Sequence, residues 1–316
     1  MSEVFVSYFS YALGDETYTV EEAVAKGRTL SSAEVLQEAG FMKHYVCSQG
    51  TNAYDLAKLA VQQIQENLGD IGAIVYSTCI PINGNIGDND KFHETRDVKY
   101  FMDFPASHLQ CDFGLERSTV IGLNQQACTG MLGSLHLARM LLVCEPDVKR
   151  VLCVTADRFP NEALYEQAYN LISDGAAACI VSTETEGFRL IANHAITNGA
   201  MYIASDDETA GSYFSYTHRL IQESLRKANL EMGQIDWIVT QNMHVKAWQI
   251  LSRLLQFDFE RVYFQSLPEV AHVISGDSII NLKWLMKADK IQPGELVMLL
   301  MAGYGLNWQS VILEKS

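Results

Sequence analysis

GMLGSLHLARMLLVCEPDVKRVLCVTAD, residues 130–157, opens as an apolar helical segment, crosses a polar turn and ends in a strand rich in β-branched residues. This reading decides the fold because it recurs. SIINLKWLMKADKIQPGELVMLLMAG, residues 278–303, has the same order of central apolar helix, polar turn and hydrophobic strand. A second pair of segments matches in the same way. NAYDLAKLAVQQIQENL (52–68) carries apolar residues at helical spacing, and GDIGAIVYSTC (69–79) follows as a buried strand. YTHRLIQESLRKANL (216–230) and GQIDWIVTQNMH (233–244) repeat that order. Alternating helices and strands predict an α/β protein, and two copies in the same order predict an internal duplication with a pseudo-twofold between its halves. The expected division is residues 1–183 and 184–316, with the functional site where the halves meet.

Composition sets the outer bounds. Of 316 residues, 48% are hydrophobic and 19% charged, enough to bury a large core in one big domain or two fused ones. No apolar run approaches the ~20 residues that cross a bilayer. The start, MSEVFVSYFSYALGDETYTVEEA, has no basic region ahead of its apolar stretch, so no secretory signal is expected. Cysteines stand at 47, 79, 111, 128, 144, 153 and 179 without a C-x-x-C pair. That spacing argues against a zinc site or a disulfide framework and for reduced thiols in a cytoplasmic protein. A net charge of -15 argues against broad nucleic-acid binding, which needs Lys and Arg to neutralise phosphates. No membrane association is expected.

Candidate chemistry falls where the repeats begin and end. Cys128 stands just before the central helix of the first half, and the equivalent place in the second half is SGDS (275–278), containing Asp277. The strand ending at Cys79 corresponds to one ending near His244. A thiol, an imidazole and a carboxylate therefore all lie at strand ends or helix starts, where α/β sheets present functional groups. At a helix N-terminus several N–H groups lack partners and the dipole favours negative charge, so a cysteine there is a better nucleophile. The same N–H groups can receive the oxyanion formed when a thiolate attacks an acyl carbonyl. The other six cysteines read as packing residues.

QACTG (126–130) with its apolar helix, SDGAAACIV (173–181) and GDSIINLKWLMKADKIQPGELVMLLMAGYGLNWQSVIL (276–313) resemble ketoacyl-ACP synthase III and its thiolase-fold relatives, in order and spacing along nearly the whole chain. The resemblance implies a five-layered αβαβα duplication, present as a homodimer or as a heteromer with a related synthase. It implies that Cys128 takes an acyl group from acyl-CoA or acyl-ACP, a phosphopantetheine thioester serving as donor substrate, with no metal and no tightly bound cofactor. It also implies that the Gly-rich turn in MAGYGLNW, with Tyr304 where a glycine is usual, supplies a second oxyanion donor beside the Cys128 N–H.

Departures from the family pattern shape the expected reaction. The histidine of its H-Q-A-N motif falls on Gln241, and QNMH places His244 three residues on, nearly the same face if a helix begins there. His272, five residues before Asp277, is a second candidate. The asparagine of G-N-T-S becomes Asp277. In decarboxylative condensation neutral groups donate to an enolate oxygen, and a carboxylate would repel that charge. A carboxylate beside a histidine instead fixes its tautomer and stabilises its protonated form, so that it serves as a general base. Cys128, His244 and Asp277 together suit acyl transfer to an acceptor whose proton must be removed; a helix-capping Asp277 is the bland alternative.

The Trp and Arg that hold CoA in a D-E-W-I-x-x-R-T-G-I stretch are absent from SSAEVLQEAGFM (31–42), which favours a carrier-protein-bound donor. Lys246 and Arg253 would then be docking charges, unless they are a solvated helix face. The segment 82–104 is longer and 199–212 shorter than in the family, which would reshape the acyl and acceptor pockets or a dimer contact. The expectation is an acyltransferase of fatty-acid or secondary-metabolite biosynthesis. Two alternatives stand beside it: a decarboxylative Claisen-condensing synthase using His244 with Asn242 or Gln241, and a non-catalytic partner subunit of a heteromeric synthase.

Overall fold

The computed structural model describes residues 3–168, 170–303 and 306–316, and the side chains of residues 202, 203, 206, 207 and 210 lie outside the description. Ten strands form one sheet. The first half gives β1 (Phe5–Leu13), β2 (Ala73–Ser77), β3 (Thr119–Leu123), β4 (Arg150–Asp157) and β5 (Gly175–Ser182). The second gives β6 (Phe188–Thr197), β7 (Trp237–Thr240), β8 (Val262–Tyr263), β9 (Leu296–Gly303) and β10 (Asn307–Lys315). Their order is β8-β7-β9-β10-β6-β1-β5-β4-β2-β3. The seam is an antiparallel contact of β1 with β6, Phe5 opposite Arg189 and Val6 opposite Phe188. Outward from it, each half runs through its own first, fifth, fourth, second and third strands. The directions also match: two parallel pairs around the second strand, then two antiparallel pairs. The repeated topology is the duplication that the paired segments announce.

Strand periodicity sorts the side chains into layers, because successive residues face opposite sides of a sheet. Ala73 and Val75 of β2 and Cys153 of β4 turn toward a central cluster, which also holds Met131, Leu132 and Leu135 of helix α2 (Gly130–Cys144) and Ile279, Leu282 and Leu285 of helix α5 (Asp277–Lys287). Ile74, Tyr76, Leu152 and Val154 turn the other way, against Leu56, Ala57 and Ala60 of helix α1 (Ala53–Gln62). In the second half Val239, Leu299 and Val311 join the central cluster. Ile238, Leu300 and Ile312 pack outward on Leu220 and Ile221 of helix α3 (Asp206–Ala228) and on Trp248 and Leu251 of helix α4 (Val245–Leu255). Helix, first-half strands, paired helices, second-half strands, helix is the five-layered thiolase arrangement, the two strand layers being continuous through the β1–β6 seam. Met131, Leu132 and Leu135 are fully buried, each worth about 1.5–3 kcal/mol against exposure.

Local signals set the helix ends. α1 starts at a capping box, in which the Asn52 side chain accepts from Asp55 N–H and the Asp55 carboxylate accepts from Asn52 N–H. α3 starts ten residues before the apolar pattern at Tyr216, because Ser205 and Glu208 form a second capping box and carry the helix over polar sequence. Ala127–Cys144 is long and apolar enough by composition to cross a membrane, although Thr129, Ser134, His136 and Arg139 interrupt its apolar run. Here it contributes the buried face of α2 to the central cluster.

His44, on the short strand Lys43–Val46, is buried and its Nδ1 lies 2.8 Å from the Ile172 carbonyl oxygen. Burial holds its pKa down at about 4. The unfolded chain, with an ordinary value near 6.5, therefore binds a proton that the folded chain refuses. Its contribution is complete above about pH 6.5 and is lost as pH falls toward 4, about 3 kcal/mol over that span. His44→Asn, which keeps an N–H donor for Ile172, is expected to flatten the fall in urea midpoint between pH 6.5 and 4; parallel curves for variant and wild type would refute the assignment.

Candidate active site

The chain between β3 and α2 delivers Cys128 under strain. Ala127 has φ of +46°, sparsely populated for a residue with a side chain, and Cys128 follows in a single 3-10 turn (Ala127–Thr129) before α2 begins at Gly130. The second half holds this turn in place. Ser275 Oγ donates to the Ala127 carbonyl at 3.0 Å. Gly303, at the end of β9, approaches so closely that a Cβ there would lie 3.0 Å from the Ala127 Cβ and 3.1 Å from the Cys128 nitrogen. Only a glycine leaves this approach unhindered.

His272 and Asp277 come from one short segment of the second half. Backbone bonds from His272 N–H to Leu171 O and from Ser173 N–H to His272 O, both 2.9 Å, tie the segment to residues 171–173. Ala271 and Ile274 take φ of +54° and +50°, so the chain turns sharply on both sides of the imidazole. Asp277 is the first residue of α5 and is fully buried. Its Oδ2 accepts from His272 Nδ1 at 2.5 Å and from Asn242 N–H at 2.6 Å, and its Oδ1 accepts from Val273 N–H at 2.7 Å. With Nδ1 bound to the carboxylate, Nε2 is left for Cys128, whose sulfur is in hydrogen-bond contact with the ring.

This geometry sets the protonation of the pair. Burial pushes the His272 imidazolium down, but the Asp277 carboxylate against Nδ1, with the Cys128 sulfur, outweighs it and raises the pKa to about 10. Burial raises the Asp277 carboxyl, and its three donors pull back. The carboxylate thus favours the protonated form of the ring that faces Cys128.

The other expected residues are elsewhere. QNMH does not start a helix: residues 241–244 have no helical turn and α4 begins at Val245. Three residues of non-helical chain carry His244 along the site wall instead of back to the same face. His244 is the N-cap of α4, its Nδ1 accepting from Lys246 N–H at 3.2 Å, and among the described residues Asp277 bonds to His272 and not to it. Burial and Lys246 lower its pKa. Gln241, at the family's histidine position, has its Oε1 fixed by Ala302 N–H at 2.6 Å. Lys246 lies 3.9 Å from Glu38 at the surface, and Arg253 is exposed on the same helix. Tyr304 lies outside the described residues.

A cavity of about 340 Å³ joins these groups. Cys128, His272, Gln241, His244 and Lys246 are in its wall, and Tyr213, Phe214, Met243 and Trp308 help to make it largely apolar. Among the described residues no group of His, Cys, Asp and Glu could hold a metal ion. A buried thiol and an imidazole that open on a largely apolar cavity, with a carboxylate behind the ring, can carry a covalent acyl group.

Comparison with known proteins agrees with this architecture. Residues 124–199 match the family model for 3-oxoacyl-(acyl-carrier-protein) synthase III, and residues 225–315 match the model for its C-terminal part. The chain is a ketoacyl synthase III-like protein of the thiolase fold. It is 21% identical to the beta-ketoacyl-(acyl-carrier-protein) synthase III of Wolbachia pipientis subsp. Culex pipiens (strain wPip), over 89% of each chain. Among solved structures it is similar to one described as the ChlB3 acyltransferase, with TM-score 0.82 and 20% identity over 99% of this chain and 98% of that one. It is also similar to 3-oxoacyl-(acyl carrier protein) synthase III, FabH, from Pseudomonas aeruginosa PAO1, with TM-score 0.81 and 17% identity over the same shares of the two chains.

Gly303→Ala tests how closely the halves must meet. The added methyl group has to displace the Cys128 turn by a few tenths of an ångström, and alkylation of Cys128 by iodoacetamide is expected to slow by about tenfold, since small misplacements of reacting groups are costly. An unchanged rate would show that the approach does not position the thiol.

Proposed function

We propose that the protein is an acyltransferase that holds its acyl group on Cys128 and uses the His272–Asp277 pair, not His244, to move the protons. The observation that carries this reading is the buried carboxylate on His272 Nδ1. A carboxylate beside an enolate would oppose condensation, whereas beside an imidazole it supports repeated gain and loss of a proton. The donor is an acyl thioester of phosphopantetheine, on a carrier protein or CoA, entering along the apolar channel past His244 and Lys246.

In the first half-reaction Cys128 sulfur attacks the thioester carbonyl carbon, with the Cys128 N–H facing the developing oxyanion. The C–S bond to pantetheine breaks, and the leaving sulfur takes the proton from His272 Nε2. Acylation removes the negative charge beside the ring, leaving a neutral imidazole that Asp277 keeps in the Nδ1–H tautomer. In the second half-reaction Nε2 removes the acceptor's proton as its oxygen, nitrogen or sulfur attacks acyl-Cys128. The expelled sulfur stays beside the imidazolium, which restores the starting state.

Intact mass after incubation with a panel of acyl-CoA and acyl-carrier thioesters tests the first step. One acyl group is expected per chain, absent in Cys128→Ala. Asp277→Asn takes away the charge that holds the proton on His272, so burial pushes the ring down; transfer at neutral pH is expected to fall on the order of 10³-fold. His272→Ala should fall as far, while His244→Ala should stay within about threefold of wild type; the opposite ranking of the two histidines would refute the assignment. Gln241, as a neutral amide in the channel, favours condensation as the second reading. Release of carbon dioxide from a malonyl donor in step with product would support that reading and contradict ours. If no thioester adds mass, and a complex containing Cys128→Ala keeps full activity, the chain is a partner subunit.

A further inference from the structure

The acyl-transfer reading leaves one reactive group beside the nucleophile unused. Cys79 follows the end of β2 and is half-buried, and its thiol is in hydrogen-bond contact with the Cys128 sulfur. The backbone brings the two together independently of that contact. A Cβ on Gly130 would lie 3.1 Å from the Ser77 Cβ, so the strand end that leads to Cys79 is seated on the turn that carries Cys128. Cys128 belongs to the central apolar cluster, and Cys79 packs against it. Cys79 is also anchored from behind. The fully buried Asp157 carboxylate accepts from Cys79 N–H at 2.9 Å, from Ile80 N–H at 3.1 Å and from Thr78 Oγ1 at 2.5 Å.

We propose that Cys79 is a resolving thiol for Cys128, and that the two form a modification site for peroxides, closing reversibly to a disulfide that blocks acyl loading. The ionised sulfur of Cys128 attacks one oxygen of hydrogen peroxide; an S–O bond forms, the O–O bond breaks, and the departing hydroxide takes the His272 proton as water. The Cys128 sulfenic acid then meets Cys79. The Cys79 sulfur attacks the Cys128 sulfur, the S–O bond breaks, and hydroxide leaves with the Cys79 proton as a second water. The two thiols lose two electrons and the peroxide gains them. Contact with Cys128 and burial push the Cys79 thiol pKa upward, so it keeps its proton until the sulfenic acid forms. Without a neighbour, a sulfenic acid in an open channel proceeds to the irreversible sulfinic acid. A second pair supplies a contrast. Cys153 and Cys179 face each other on β4 and β5 but are fully buried, so peroxide cannot reach them.

The proposal shares the nucleophile of the acyl-transfer reading, and its test uses no acyl donor, so the two can fail separately. Fully reduced protein is treated with hydrogen peroxide and followed by intact mass and peptide mapping. The mass is expected to fall by about 2 Da, with one Cys79–Cys128 link, Cys153 and Cys179 still thiols, and full reversal by dithiothreitol. Cys79→Ala and Cys79→Ser should instead gain about 32 Da at Cys128, unaffected by dithiothreitol. Wild-type protein that gains that mass at Cys128 while Cys79 stays a free thiol would overturn the proposal. So would a link from Cys128 to a different cysteine, or no oxidation of either thiol.

Discussion

A carboxylate without access to water dominates the molecule's centre. Removing an ion from water costs several kcal/mol even after relaxation, and a buried charge persists only where donors surround it. Asp277 meets that condition with the His272 ring and the backbone N–H groups of Asn242 and Val273. The donors are themselves fixed. The Asn242 amide donates to Ser266 Oγ and to the Ala271 carbonyl, and Asn281 reaches back to the Asn242 Oδ1 and the Thr240 carbonyl. Buried networks of this kind specify one arrangement because any other leaves polar groups unpaired. The strained backbone at Ala271 and Ile274 is held by this network and by the bonds to residues 171–173.

The duplication then explains why the chemistry sits on the pseudo-twofold. Each half presents the start of its central helix at the same place, one offering a thiol and the other a carboxylate. Neither half holds the set alone. The halves are registered by a shared apolar cluster, by Ser275 on the Ala127 carbonyl and by the Gly303 backbone against the Cys128 nitrogen. Docking of the halves therefore brings Cys128 against His272 and Asp277.

Much of this is legible in the sequence. Apolar spacing gives the central helices and their strands, and the recurrence of whole segments gives the duplication. Cys128 and Asp277 read as candidates from their places at matched helix starts. The histidine is harder, for a local reason. His244 reads as the partner only if residues 241–244 begin a helix, and the backbone there is not helical until Val245. His272 reaches Asp277 through two positive-φ residues, a path that no helical or strand period describes. His272 stands five positions before Asp277, and that nearness in sequence is the available signal. Cys79 reads as packing because its contact with Cys128 links separate elements, and spacing along the chain cannot report it. The start of α3 is not legible for another reason: its first turns are polar and are held by a capping box, where apolar periodicity is silent.

Where the shared proton resides decides between an active pair and an inert cluster. NMR of the ring nitrogens in protein carrying ¹⁵N-labelled histidine, assigned with a His272→Gln variant, measures this directly. The account requires the His272 signals to stay those of an imidazolium through neutral pH and to titrate near pH 10, where the carboxylate holds the value. A ring that is already neutral at pH 7 in the unacylated protein would contradict it.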